Sequence, residues 1–404
     1  MDGVSFLEFT ANLLDFAEML ACAVDLMERG SHHHGQRVAY IAFRLFEQVR
    51  PGHDPTDLVI ASYLHDIGIE SFRVKEKARE FRLDKEILWP HCRDGADLVE
   101  TVDLLKGIKP FILYHHTDYC EIHSSLPDVP LEAQIIHLAD RIEVLIRPNR
   151  LVLEQVEDIV NTILNYKGSM FNPELVEAFL DLSTKESFWL DIVNEYQPVV
   201  EHICFPSMDI KMDASDIRQF SYLCARIVDR KSPFMAQHSQ RIASIAVRLA
   251  EFCGMRGQDL FFMEIAGLLH DLGKLAVPDT ILHKQGRLTD GEYRVIKQHS
   301  YYTYCLIDRL NVMDKVRDWA AFHHERLDGS GYPFHLTAGD LDLGARVMAV
   351  ADMVGAITED RPYRAGYGEK ETMDIMWEQV KNNRIDGEVV DILSKHFGEI
   401  VYGR

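Results

Sequence analysis

Residues 270–274 read His270-Asp271-Leu272-Gly273-Lys274, and residues 65–69 read His65-Asp66-Ile67-Gly68-Ile69. The first of these pentads closes an apolar stretch, Leu260 to Leu269 (LFFMEIAGLL), whose spacing is helical. Histidine beside aspartate offers the donor set that zinc, manganese and iron favour, whereas magnesium and calcium prefer all-oxygen shells. A glycine two residues past the aspartate predicts a sharp turn just beyond the pair.

Working outward from each pentad reveals an internal repeat. The first copy runs His34-x-x-Arg37, His65-Asp66, His91, His115-His116, Asp140, and the second runs His238-x-x-Arg241, His270-Asp271, His299, His323-His324, Asp352. Successive ligand steps are 31, 26, 24, 1 and 24 residues in the first copy against 32, 29, 24, 1 and 28 in the second. The tails correspond too, Phe171 to Phe179 (FNPELVEAF) with Ile385 to Leu393 (IDGEVVDIL). Helical spacing recurs, as in Arg241 to Phe252 (RIASIAVRLAEF), and alternating strand patterns are nearly absent. The expectation is an all-α chain of two related helical bundles: residues 1–190, a linker at 191–212 containing Pro198 and Pro206, and residues 213–404. Gly30 to His34 (GSHHH) is internal, and His34 has a counterpart in the repeat, so the stretch is native sequence.

Composition narrows the function classes. The 404 residues are 47% hydrophobic and 26% charged, values of a globular protein rather than a disordered or fibrous one. A net charge of −21 opposes binding to a nucleic-acid polymer, where Lys and Arg must neutralise phosphates. A small anionic ligand stays open, because a metal site can supply local positive charge. Seven cysteines without a CxxC pair suggest reduced thiols in the cytoplasm. No apolar run is long enough for a membrane span, and the N-terminus lacks a basic-then-apolar leader.

Of nineteen histidines, ten fall on the repeated positions. His53, His123, His137, His202, His283, His335 and His396 read as ordinary core or surface residues. That bland reading fails for an ordered set appearing twice. In the second copy seven donors exceed the four of one tetrahedral ion, which points to two ions sharing a carboxylate; the first copy's donors would hold one or two.

His238, His270-Asp271 and Asp352 resemble the pattern of the HD superfamily of metal-dependent phosphohydrolases. HDLGK (His270 to Lys274), His299, HHERLDGSGYP (His323 to Pro333) and DRPYR (Asp360 to Arg364) look like the HD-GYP subgroup, over about Asp213 to Gly403. The resemblance implies two tandem HD-type bundles and hydrolysis of cyclic di-GMP, with cyclic GMP-AMP the alternative substrate. It implies two divalent ions, iron or manganese. His238, His270, Asp271 and Asp352 would hold one; His299, His323 and His324 would hold the other, with Asp271 bridging. Asp271 and Lys274 would be the catalytic pair, Lys274 also contacting the scissile phosphate. Arg361, Arg364, Gly331 and Tyr332 would bind substrate, the arginines by gripping phosphate oxygens. Gly329 and Gly331 would permit unusual backbone angles, and Pro333 would fix the exit.

Three positions depart from the subgroup. Phe234 stands where some relatives carry a glutamate that helps hold a third ion, which favours two ions. Leu327 replaces a common tryptophan, and Gly355 a bulkier residue, so the base-binding side of the pocket is altered.

In the first copy His34, His65, Asp66, His91, His115, His116 and Asp140 retain every ligand type, so metal is expected there as well. Ile69 replaces the lysine, and Tyr114 to Ser125 (YHHTDYCEIHSS) has no GYP-like loop. Arg147, Pro148, Asn149 and Arg150 resemble RPYR but lie two residues nearer their aspartate. These differences predict a metal-binding, regulatory half without cyclic-dinucleotide turnover. A non-catalytic signalling adaptor would have no need of Lys274 and a full ligand set; a hydrolase of linear nucleotides would have no need of the GYP loop. A homodimer or a signalling protein partner is compatible with such a chain.

Overall fold

The computed structural model describes residues 11–27, 33–82, 85–122, 128–194, 208–231, 237–311, 313–360 and 365–403. The fold is all-α. Among the described residues the only strands are Ala11–Asn12 and Lys211–Met212, two residues each. Two compact units emerge, Asn12–Met212 and the chain from Asp213 onward. No described helix is long and apolar enough to cross a membrane.

In the first unit the helix His34–Val49 buries Val38, Ile41, Ala42, Leu45 and Phe46, one face at three- and four-residue spacing. That face packs against the helices Thr56–Leu64, Leu131–Leu145 and Pro173–Ser183. The second unit repeats the plan. The helix His238–Phe252 buries Ile242, Ile245, Ala246 and Leu249 against the helices Gln258–Leu269 and Leu343–Thr358. Each such side chain removed from water is worth about 1.5–3 kcal/mol, so the shared face holds the bundle together.

Polar caps set where two of the ligand-bearing helices begin. Thr289 and Glu292 form a reciprocal capping box at the start of Asp290–Asp308, the helix that carries His299. Asp342 accepts from the Ala345 amide at 2.8 Å, starting the helix that carries Asp352. The same carboxylate accepts from Trp319 Nε1 at 2.9 Å, which ties this helix to Asp314–Ala321, just ahead of His323.

The span expected as a linker is partly structured in another way. The helix Glu186–Ile192 runs into it, burying Phe188, Trp189 and Ile192, with Trp189 Nε1 donating to the Ser183 carbonyl at 3.0 Å. Further on, Met208 and Ile210 accept from the Asn12 side chain at 3.2 Å and the Leu13 amide at 2.9 Å. Apolar burial and backbone pairing therefore draw both ends of that span into the first unit. Pro198 and Pro206 lie outside the described residues.

Candidate metal centres

In the second unit the seven ligand candidates converge from five segments. His238 begins one helix, His270 caps the end of the next, His299 lies within a third, His323 and His324 follow a fourth, and Asp352 lies within a fifth. Three groups have ligand atoms within 4.8 Å of one another: His238, His270 and Asp352; His270, Asp271 and His323; His299, His323 and His324. Asp271 Oδ2 faces His270 Nε2 at 3.2 Å and His238 Nε2 at 3.7 Å, while Oδ1 faces His299 Nε2 at 3.6 Å. Two oxygens aimed at two imidazole groups is the disposition a carboxylate needs to serve two ions.

The protonation pattern makes these rings electron-pair donors. Nδ1 of His270, His299 and His323 lies 2.8, 2.6 and 2.6 Å from the carbonyls of Gly267, Ile296 and Ala320. A carbonyl only accepts, so each Nδ1 carries the proton, and Nε2 is left as the atom that a ring without a second proton offers as a lone pair. Burial pushes His299 down to about 3 and His323 to about 4, which keeps both rings neutral. Yet His299 Nε2 and His323 Nε2 lie 3.2 Å apart. Two lone pairs that close repel unless a cation lies between them. The residues fit a metal.

At the edge of the cluster Lys274 Nζ donates to Asp271 Oδ2 at 2.5 Å. Burial alone would raise the Asp271 carboxyl, but the charges of His270 and Lys274 hold it well below the usual range. Tyr332 lies over the other side, its ring 4.8 Å from that of His324. Gly329 has a φ of +75°, as a left-handed turn requires. Gly331 is needed for another reason than an unusual backbone angle: a Cβ there would fall 2.4 Å from Glu325 Cα. Gly273 likewise serves close approach and not a positive-φ turn, since its Cβ would lie 2.0 Å from the His299 carbonyl oxygen. Arg361, Arg364 and Phe234 lie outside the described residues.

Two carboxylates that the sequence did not single out complete the surroundings. Glu359 lies 3.0 Å from His238 Nδ1 and orients that ring. Glu325, buried, accepts from the Phe334 amide at 2.7 Å and the Leu336 amide at 3.1 Å, holding the loop after the histidine pair. Neither has a spacing signal that a repeat search would detect.

The first unit assembles its own cluster. His34, His65 and Asp66 form one group and His91, Cys92, His115 and His116 another, each with ligand atoms within 4.8 Å. Nε2 of His34 and His65 are 3.3 Å apart, and Nε2 of His91 and His115 are 3.2 Å apart. Burial lowers His91 to about 4. His137, read from the sequence as an ordinary residue, is buried with its ring 5.9 Å from that of His116.

Here the structure corrects the reading of Ile69. Position 69 is apolar and buried, but the cation returns from a neighbouring helix: Lys75 Nζ donates to Asp66 Oδ2 at 2.9 Å. Burial raises Asp66, and Lys75 with the nearby imidazoles more than offsets it, leaving the carboxylate well below the ordinary value. The second carboxylate is also paired, with Arg141 Nε donating to Asp140 Oδ2 at 3.1 Å. Glu143 binds His34 Nδ1 at 2.7 Å and accepts from Arg37 and Arg79.

Two helical bundles, each gathering histidines around an HD pair, define the class: HD-domain metal-dependent phosphohydrolases. Family models described as HD domain match residues 32–145 and 222–389. The 3'3'-cGAMP-specific phosphodiesterase 1 of Vibrio cholerae is 31% identical over 401 residues, covering 96% of this chain and 93% of that one. The cyclic di-GMP phosphodiesterase PA4108 of Pseudomonas aeruginosa is 39% identical over 162 residues, 40% of this chain and 39% of its own. A solved cyclic GMP-AMP-specific phosphodiesterase of Vibrio cholerae shares the fold, with a TM-score of 0.69 at 23% identity over 96% of this chain and 98% of its own. The chain belongs to the HD-GYP family of cyclic-dinucleotide phosphodiesterases.

Proposed function

We propose that the second half hydrolyses a 3',3'-cyclic dinucleotide on two divalent ions, iron or manganese, with cyclic GMP-AMP as the preferred substrate. The observation that carries the reaction is Asp271 set between two imidazole groups whose Nε2 lone pairs converge, with Lys274 on its outer oxygen. His238, His270 and Asp352 would hold one ion and His299, His323 and His324 the other, with Asp271 serving both. Bound there, the ions would bring a water's pKa from ~15.7 to near ~7 and offset phosphate charge. Lys274 Nζ would donate to a phosphate oxygen and stabilise the charge gained in the transition state. Tyr332, beside His324, would form an aromatic wall for a base, and Arg361 and Arg364 would hold the second phosphate. The substrate choice rests on the relative that matches both halves of the chain being cyclic GMP-AMP-specific.

Cyclic di-GMP, the first expectation from the motifs, is the second reading, favoured by 39% identity over 162 residues to an enzyme acting on it. The first half is proposed to bind metal and regulate the second without opening cyclic dinucleotides. A cytoplasmic setting accords with six free cysteines among the described residues.

The test is anaerobic purification of the full chain, reloading with iron or manganese, and incubation with both cyclic dinucleotides followed by separation of products. Faster linearisation of cyclic GMP-AMP supports the proposal. Equal or faster cleavage of cyclic di-GMP overturns the preference, and cleavage of neither overturns the reaction.

A further inference from the structure

In the helix Lys85–Val99 the residue after His91 is Cys92, whereas the residue after His299 in the matching helix is Ser300. Cys92 is fully buried, and its Sγ lies 3.8 Å from His91 Nε2. One donor atom each from His91, Cys92, His115 and His116 falls within a 4.8 Å sphere of mutual distances, and all four residues are buried. His115 Nδ1 is occupied by the Ile112 carbonyl at 2.6 Å, so its Nε2 presents a lone pair, 3.2 Å from His91 Nε2. His116, 2% exposed, has no hydrogen-bond partner on either ring nitrogen. The thiol's other neighbour is the Leu88 carbonyl at 3.9 Å, a weak contact.

We propose that Cys92 is a metal ligand, closing with His91, His115 and His116 a four-coordinate site for a borderline ion such as zinc. This rests on the reading that the first half binds metal without turning over substrate. The dimensions agree: zinc sits about 2.0–2.1 Å from imidazole nitrogen and about 2.3 Å from thiolate sulfur in a tetrahedron. Those bonds put nitrogens about 3.4 Å apart and sulfur about 3.6 Å from nitrogen. The observed separations are 3.2 and 3.8 Å. Binding would release the thiol proton to solvent.

Four protein ligands leave no position for water or a phosphate oxygen, which is how structural sites differ from catalytic ones. In the second half Ser300 Oγ lies 3.3 Å from His299 Nε2. A neutral hydroxyl is a far weaker ligand than a thiolate, so that site keeps an open position. The second carboxylate of the first half points the same way, for Arg141 already pairs with Asp140. A second ion bound through Asp140 would have to displace that arginine. One Cys-for-Ser difference at a repeated position thus separates a closed metal site from a working one.

The test uses the full chain, stripped of metal and reloaded with cobalt(II) or zinc. X-ray absorption on the zinc form should show a sulfur scatterer at about 2.3 Å. The cobalt form should show a thiolate-to-cobalt charge-transfer band that Cys92→Ser abolishes. Zinc affinity of the first half should fall more than about 100-fold in that variant, since even outer-shell partners contribute 10–100-fold. Cobalt bound in a manner sensitive to His116→Ala, without any thiolate band, would overturn ligation by Cys92 while sparing the metal reading. Metal stoichiometry unchanged by His116→Ala and Cys92→Ser would overturn both. The absorption measurement on the parent chain needs no variant to fold.

Discussion

Gly273 packs against the backbone of His299 so closely that a Cβ would lie 2.0 Å from its carbonyl oxygen, and Gly68 stands in the same relation to His91. The turn carrying Lys274 is further fixed by Thr303, whose hydroxyl donates to the His270 carbonyl and accepts from the Gly273 amide, both at 3.0 Å. Gly273→Ala must therefore push the His299 helix away from the HD pair. The expected result is a folded protein with weakened metal retention and a turnover loss of about 10², the usual consequence of a 1 Å displacement of catalytic groups. Metal analysis and kinetics on one preparation check this, and parental values for both would refute it.

Lys274→Ala should keep its metal and lose about 10²–10³ in turnover, as when one donor to a developing anion is removed. Nζ donates to Oδ2 of Asp271, while Oδ1 is directed at His299. An unchanged rate with cyclic GMP-AMP would reassign Lys274 to the solvated face.

Much of the centre was legible because ligand types cannot be exchanged freely, so both copies keep their order along the chain. What was not legible arrives by proximity in space. Lys75 replaces a missing lysine at Asp66 from another helix, and Glu325 organises the loop after His324 through two backbone amides. Glu143 and Glu359 both orient the first histidine of their copy, yet one lies three residues past its aspartate and the other seven. Gly355 stands where Glu143 does in the repeat, packed beside Ile242, and the carboxylate comes from one turn further on.

Glu359 accordingly yields a prediction. Glu359→Ala should weaken metal binding in the second half by about 10–100-fold, the common result of losing a carboxylate behind a ligating histidine. Glu359→Gln, which can still accept from Nδ1, should recover part of it. Chelator competition reads the effect, and equal affinity in all three proteins would remove Glu359 from the metal's support.

The metal-stripped protein should lose stability on mild acidification. Burial lowers His91 and His323 to about 4 and His137 and His299 to about 3. Burial also places His115, His116 and His324 well below the ordinary value. Between about 6.5 and 4 the unfolded chain binds protons that these folded rings refuse, so stability falls as pH falls through that window. His270 opposes the trend, because the pull of Asp271 overcomes burial and raises it. Seven lowered groups outweigh one. Thermal melts of apo protein between pH 7 and pH 5 should show a falling Tm, and a rising Tm would contradict the assignment.

The most direct test of the account compares paired deletions in the full chain, His270→Ala with Asp271→Ala against His65→Ala with Asp66→Ala. Turnover of 3',3'-cyclic GMP-AMP and metal content are measured together. The account predicts that the first pair empties the second-half site and abolishes hydrolysis, while the second pair leaves hydrolysis in place. Parental turnover after loss of His270 and Asp271, or its abolition only after loss of His65 and Asp66, would contradict it.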